Sequence, residues 1–508
     1  MTRHPRAALG LVLCCLGAAL PGCAPDEAPD LADAGDVTAP RDAGSDLGFD
    51  AGIDVPRDAP RDAGSDLGFD AGFDAGFDAP RDAPSGDAGF DVPRDAPSGD
   101  AGDGGPAPSG PVLYPANRVQ SPITASVARN LLAVAARGSA DPRVFAKVGA
   151  SNTVNTNFFH CFAGANVNLD RYAALGETLA WFRAGRAGTT TPFDRTSLAA
   201  TVGWSAWAAL AGTPSPLTRE LDAVRPQYAV VMFGTNDIQS RDLERYGQNL
   251  LDLADRLAER GVVPVFSSVP PRDDSAEADL WVPRYVAVMR GVAQARQVPF
   301  VDLERVLRTL PNHGIGSDGL HMNVYVAGAA RGCVLTPTGL NYGFNTRNLL
   351  TLESLDRARR ALAREPAPDP DAAALHLTGD GSPGAPFVVP SLPFSDLRDT
   401  RREGARRIDR YPGCRSGADE SGPELVYRLT VTRTTRVRAD VISRQGVDVD
   451  LHQLGAQVSG DACVARHDKT LTMTLTPGTY HFVLDTFVSA GSARAGEYLF
   501  VLVEDVAP

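Results

Sequence analysis

Residues Pro40 to Asp50 recur unchanged as Pro60 to Asp70, and variants of the same phrase fill the chain from Ala24 to about Gly110. The phrase is built from Asp, Ala, Gly and Pro, with few apolar side chains. Its 21 Asp and Glu face five Arg and no Lys, so the segment carries −16 of charge in a chain whose total is −13. Such a segment cannot bury enough surface to offset the entropy of ordering it. It is expected to be a solvated tether, which as a coil would span on the order of 50 Å. Though rich in Asp, it lacks the ligand spacing and the bidentate Glu of an EF-hand. Folding is thereby confined to the chain beyond Gly110. That part is close to neutral, so no basic patch argues for a nucleic-acid partner.

The chain begins with Arg3 and Arg6, an apolar run from Ala7 to Leu20, and then Pro21-Gly22-Cys23. A charged start, an apolar core of this length and small residues after it read as an export signal over 1–23 rather than a membrane span. Leu20-Pro21-Gly22-Cys23 resembles a bacterial lipoprotein box. The resemblance implies lipidation at Cys23 and a protein held at the cell envelope, with the outer membrane as the expected face. A simple secretory leader is the alternative. No other apolar run is long enough to cross a bilayer.

With the leader removed and Cys23 lipidated, Cys161, Cys333, Cys414 and Cys463 remain. Four cysteines in an oxidising compartment suggest two disulfides, and Cys161–Cys333 with Cys414–Cys463 is the simplest pairing. No CxxC or Cys/His cluster has zinc spacing, and no metal is expected.

At 508 residues the chain should hold more than one folded unit. Strand-like runs at Val144–Val148, Tyr228–Phe233, Gly261–Ser267 and Val298–Val301 alternate with helical ones at Leu243–Arg260 and Trp281–Arg296. In the first helical run Leu243, Tyr246, Leu250, Leu253 and Leu257 recur at steps of three and four. The alternation predicts an α/β fold, a parallel sheet with helices on both faces. From about Asp369 the texture changes. Runs at Glu424–Val431, Thr435–Val441, Lys469–Leu475, Gly478–Asp485 and Gly496–Val503 alternate apolar and polar residues between turn signals, predicting an antiparallel β-sandwich. With its Pro477-Gly478-Thr479-Tyr480 and Asp448-Val449-Asp450-Leu451, the region from about 385 to 506 resembles the bacterial pre-peptidase C-terminal domain. Asp448 and Asp450 are capable of holding an ion, but solvated strand-end carboxylates are the expected reading. The layout is therefore a leader (1–23), a tether (24–111), an α/β domain (112–365), a linker (366–384) and a β-sandwich (385–508).

Three stretches carry chemistry. Val144 to Val148 ends abruptly in Gly149-Ala150-Ser151, which presents a hydroxyl at the carboxyl end of a strand, where ligands bind in open α/β sheets. The second strand ends in Gly234-Thr235-Asn236-Asp237, whose Asn amide is able to donate to an oxyanion. Downstream, Asp318 stands three residues before His321. A carboxylate there can accept from the imidazole Nδ1–H and leave Nε2 free for a serine proton. Each stretch alone has a plainer reading: a helix cap for Ser151, an Asx turn for Asn236-Asp237, and a solvated loop for Asp318 and His321.

Together, and in this order, they resemble the SGNH or GDSL-like hydrolases over about residues 140–360. Pro270-Pro271-Arg272 after the third strand fits as well. The resemblance implies a flavodoxin-like three-layer fold and a serine ester hydrolase without metal or organic cofactor. Its substrate would be an ester-bearing small molecule, lipid or polysaccharide. It further implies Ser151 as nucleophile, His321 as base and then acid, and Asp318 as the orienting carboxylate. The Ser151 N–H, the Gly203 N–H and the Asn236 side chain would form the oxyanion hole. Where the family has Asp in its Gly-Asp-Ser block, this chain has Ala150. That departure keeps a second class open, a non-catalytic carbohydrate-binding or adhesion lipoprotein that retains the fold.

Overall fold

The computed structural model describes residues 110–505. The leader, Cys23 and nearly all of the repeat lie outside the described residues. Four parallel strands, β1 (Asp141–Gly149), β2 (Pro226–Met232), β3 (Val263–Ser267) and β4 (Phe300–Val301), form one sheet in that order. Every residue of β2 is buried. Successive strand side chains point to opposite faces, so both faces of the sheet are covered.

The covering helices are α1 (Ala125–Ala135), α2 (Ser151–Val154), α3 (Gly176–Arg183), α4 (Ala206–Leu210), α5 (Pro216–Val224), α6 (Leu243–Glu259), α7 (Ala276–Asp279), α8 (Val282–Ala295), α9 (Leu303–Leu307) and α10 (Gly343–Leu362). The stripe of α6 predicted from its spacing is buried throughout, and the Asp242 side chain caps the helix by accepting from Arg245 N–H. Helix α5 starts on a Ser215 cap with Pro216 in its first turn, where a missing N–H costs nothing.

Two antiparallel sheets complete the chain, built from β5 (Phe387–Val388), β6 (Phe394–Asp399), β7 (Glu424–Val431), β8 (Thr435–Ser443), β9 (Val449–Leu454), β10 (Cys463–His467), β11 (Thr470–Leu475), β12 (Gly478–Thr486), β13 (Val488–Ser489), β14 (Ser492–Ala493) and β15 (Glu497–Glu504). One sheet runs β10-β9-β12-β7-β5 and the other β11-β8-β15-β6, while β13 and β14 pair as a short hairpin. Only β5 runs parallel to its neighbour.

The alternation in β15 shows how the sandwich is seated. Tyr498, Phe500 and Leu502 belong to the core between the two sheets, while Leu499, Val501 and Val503 join the apolar core of the parallel-sheet region. The second sheet is therefore buried on both faces. At the seam with α6 and α8, Gln294 donates to the Ser395 carbonyl at 2.7 Å and Gln248 to that of Ser443 at 2.8 Å. Arg296 bridges Asp255 at 2.6 Å and Glu497 at 2.8 Å. Among the described residues two disulfides are present, Cys161–Cys333 and Cys414–Cys463, with Cα atoms 5.8 and 5.2 Å apart.

One sequence expectation is overturned here. Asp450 is not a solvated strand-end carboxylate. It sits inside β9, and the segment from 405 to 423 straps across that face, so Asp450 is only 2% exposed. The strap is held by the Cys414–Cys463 bridge and by Tyr411, whose ring stacks on His452 and whose hydroxyl donates to Asp485 at 2.5 Å. Asp448, outside the strand, is half-buried.

Candidate active site

The site lies at the carboxyl edge of the parallel sheet. β1 and β2 run in register to Gly149 and Met232, which brings Ser151 and the Gly234–Asp237 turn to the same edge. A side chain at Gly149 would have its Cβ 2.4 Å from Thr153 Oγ1 and 2.7 Å from the Met232 carbonyl, so only glycine fits where the chain turns into α2. The cap position of α2 is Ala150, with no side-chain cap. Ser151 is thus free of the capping role, and its hydroxyl turns elsewhere.

His321 Nε2 lies 2.9 Å from Ser151 Oγ, and His321 Nδ1 lies 2.6 Å from Asp318 Oδ2. An ionised carboxylate only accepts, so Nδ1 carries the proton and Nε2 offers its lone pair to the hydroxyl. Asp318 also accepts from the backbone N–H groups of Leu320 and His321, both at 3.0 Å, and so shapes the turn that aims the imidazole. Partial burial works to raise the Asp318 carboxyl. The hydrogen bonds from the His321 backbone, the His321 ring and Leu320 outweigh it and hold the group at about 2. Gly319 completes the turn at φ +69°, with Asp274 N only 2.5 Å from where a Cβ would stand. The adjoining Met322 N–H donates to Asn152 Oδ1 at 3.3 Å, tying the histidine loop to the serine turn.

Asn236 and Gly203 come together at the wall of one cavity, beside Ser205 and Trp207. Asn236 Nδ2 donates to the Trp204 carbonyl at 2.8 Å, which fixes the amide plane and leaves its second N–H available. Gly203 is exposed, at φ +80°, on a segment that reaches the end of β1 through a bridge between Gly149 and Ala200. Asp237 is not merely a turn residue. Its buried carboxylate accepts from Ala206 N–H and Gly234 N–H, both at 3.0 Å, joining the start of α4 to the end of β2. Burial pushes it up to about 6 against those hydrogen bonds. Arg272, of the Pro-Pro-Arg stretch, is buried and donates to the Thr235 carbonyl at 2.8 Å while gripping Asp274 with two nitrogens.

Sequence reasoning missed Arg347, which no local motif marks. It lies in α10 with no exposed surface and no ion-pair partner among the described residues. Its Nη1 donates to the Asn152 carbonyl at 2.6 Å and its Nη2 to Thr153 Oγ1 at 3.0 Å. The guanidinium lies 3.7 Å from the Phe158 ring centroid, a cation–π contact. Burial pushes it down to about 9, so at neutral pH it remains a cation under the turn that carries Ser151.

Residues 148–326 match the family model of the GDSL-like lipases and acylhydrolases. Among curated proteins no match was found. Similar solved structures include a catalytic mutant of Axe2, an acetylxylan esterase from Geobacillus stearothermophilus, at 14% identity and a TM-score of 0.28, covering 43% of this chain and 95% of that one. A two-domain esterase, CEX, active on acetylated mannans, matches at 14% identity and a TM-score of 0.27, covering 76% of this chain and 96% of that one. The pre-peptidase C-terminal domain of a collagenase from Bacillus anthracis matches at 10% identity and a TM-score of 0.16, covering 23% of this chain and 91% of that one. The stretch from 148 to 326 is a GDSL-like acylhydrolase domain.

Proposed function

We propose that the protein is an extracytoplasmic serine hydrolase that cleaves an acyl or acetyl ester of a lipid or carbohydrate through an acyl-enzyme. The unbroken chain from Ser151 Oγ to His321 Nε2 at 2.9 Å and from His321 Nδ1 to Asp318 at 2.6 Å carries this reading. In the first half-reaction Ser151 Oγ attacks the ester carbonyl carbon as His321 Nε2 takes its proton. The imidazolium, steadied by ionised Asp318, then protonates the departing alkoxide as the C–O bond breaks. Water, deprotonated by the same nitrogen, attacks the acyl-serine. Collapse releases the acid and returns the proton to Ser151.

The oxyanion formed in each half is assigned to the Ser151 and Gly203 N–H groups and to the second N–H of Asn236. Ala150, the residue that favoured a non-catalytic protein, is offset by a different support. Arg347 holds the serine turn from beneath, where the family pattern has an acid within the turn itself.

The export signal and Cys23 support a lipid-anchored envelope protein, and two disulfides suit an oxidising compartment. Labelling of the purified protein with a fluorophosphonate probe, beside a Ser151→Ala control, tests the assignment. Labelling that vanishes in the control is the expected result, and acetyl and longer acyl esters then define the substrate. A folded protein that takes no label would move the reading to the binding lipoprotein.

A further inference from the structure

Beneath the strap of the β-sandwich lies a second group of titratable side chains that the reaction does not use. Glu420 comes from the strap, and Asp450 and His452 from the same face of β9. One donor atom from each lies within 4.8 Å of the others. Glu420 and His452 have no exposed surface and Asp450 has 2%. With both acids ionised, neither carboxylate oxygen of Glu420 has a donor among the described residues; it lies against the Asp450 carboxylate instead, and His452 Nε2, likewise without a partner, stands 3.7 Å from Glu420 Oε1.

A buried carboxylate left without a partner is costly, and folded proteins rarely leave one so. Arg466 relieves it only in part. That guanidinium is taken up by Asp450 and by Asp468 at 3.3 Å, and stands 3.7 Å from Glu420, beyond hydrogen-bond reach. Glu424 and Asp485 add two more buried carboxyls on the same sheet. The region is short of positive charge.

From this geometry we propose that Glu420, Asp450 and His452 bind a divalent cation of the zinc class, which fastens the strap to β9. Two carboxylate oxygens and one imidazole nitrogen suit a borderline ion, whereas a calcium site would be built of oxygen alone. The donors come from two separated parts of the chain, so no linear spacing announces them. The stack of Tyr411 on His452, with ring centroids 3.5 Å apart, orients the imidazole, as supporting contacts do in metal sites. The cluster is bordered toward solvent by Arg466, 28% exposed, and Asp468, 61% exposed. The ion would serve structure and has no step in ester cleavage.

The test uses the full chain, stripped with a chelator, dialysed and titrated with Zn²⁺ alone by calorimetry, followed by X-ray absorption at the zinc edge. The expected result is a saturable equivalent with one imidazole and otherwise oxygen donors, together with a higher melting temperature. That equivalent disappears in Glu420→Gln and in His452→Gln. Should either variant fail to fold, the wild-type absorption spectrum still decides, because surface adsorption would not give one imidazole at a fixed stoichiometry. A folded, stripped protein that takes up no such equivalent overturns the proposal and leaves Glu420 and Asp450 sharing a proton.

Discussion

His321 and His452 each face carboxylates, and their surroundings set them to opposite uses. His321 is about a third exposed, and both ring nitrogens are engaged, one by Asp318 and one by Ser151. His452 is fully buried, with Nδ1 4.0 Å from Cys463 Sγ and Nε2 facing Glu420 without a hydrogen bond. The first arrangement is complete in itself and open on one side, so it can pass a proton to something that arrives from solvent. The second is closed to solvent and incomplete. Residue type alone would not separate them. What separates them is where the unsatisfied valence points, outward to a substrate or inward to a site that only an ion or a proton can fill.

The largest effect should come from giving the open histidine a neutral partner. Asp318→Asn keeps the shape of the turn but presents an amide where the carboxylate accepts from Nδ1. The ring then adopts the wrong tautomer, and the imidazolium loses its counter-charge. A fall in kcat on the order of 10⁴-fold is expected, with KM nearly unchanged. Steady-state kinetics on whichever ester proves hydrolysable gives the answer. A variant retaining a tenth or more of the activity would show that the Asp318 contact is only structural.

The arginines divide in the same way as the histidines. Arg466 sits among carboxylates, while Arg347 has none and spends its nitrogens on the Asn152 carbonyl and Thr153 hydroxyl. Arg347→Met fills similar volume and removes both donors. It should lower kcat by about 100-fold through misplacement of Ser151. Arg347→Lys should restore part of that loss, since one ammonium can reach one of the two oxygens. A purely packing role predicts the reverse, with Met tolerated and Lys not. Circular dichroism on each variant separates a lost turn from a lost fold.

The two kinds of site also differ in how well the sequence discloses them. Ser151, Asn236, Asp318 and His321 each stand in a short pattern that must be contiguous to work, a turn after a strand or a carboxylate and imidazole on one loop. The α6 stripe is legible because its period repeats over more than four turns. Arg347, by contrast, acts across 195 residues of chain onto Asn152, and nothing near it in sequence differs from any helical arginine. Helices α1, α5 and α10 are absent from the sequence-based expectations altogether. In α10 the buried face includes Asn345, Thr346, Arg347, Asn348 and Thr351, so its polar interior hides the apolar periodicity. Asp450 reads as solvated for a related reason. The strap that buries it is joined to β9 by tertiary contacts and a disulfide, neither of which alters the local pattern.

The smallest effect expected is on stability, and it too should have opposite signs in the two kinds of place. Asp318 is held below its ordinary value, so its contribution is present above that value and lost only as pH falls toward about 2. Buried carboxyls act the other way. Burial raises Asp237 to about 6 and Glu424 to about 7, against the backbone N–H groups that each accepts from. The folded state then binds protons that the unfolded chain has released. Stability is greatest below the unfolded pKa and declines as pH rises through the folded one. Asp237 alone should account for about 3 kcal/mol over the whole of that decline, roughly half of it between pH 5 and 7.5. Thermal melts of the chelator-treated protein should therefore give a lower midpoint at pH 7.5 than at pH 5, with a shallower slope in Asp237→Asn. A midpoint that is flat or rises across this range would mean that these carboxyls are already compensated in solution. The contrast between an open, satisfied site and a closed, unsatisfied one would then lose its thermodynamic side.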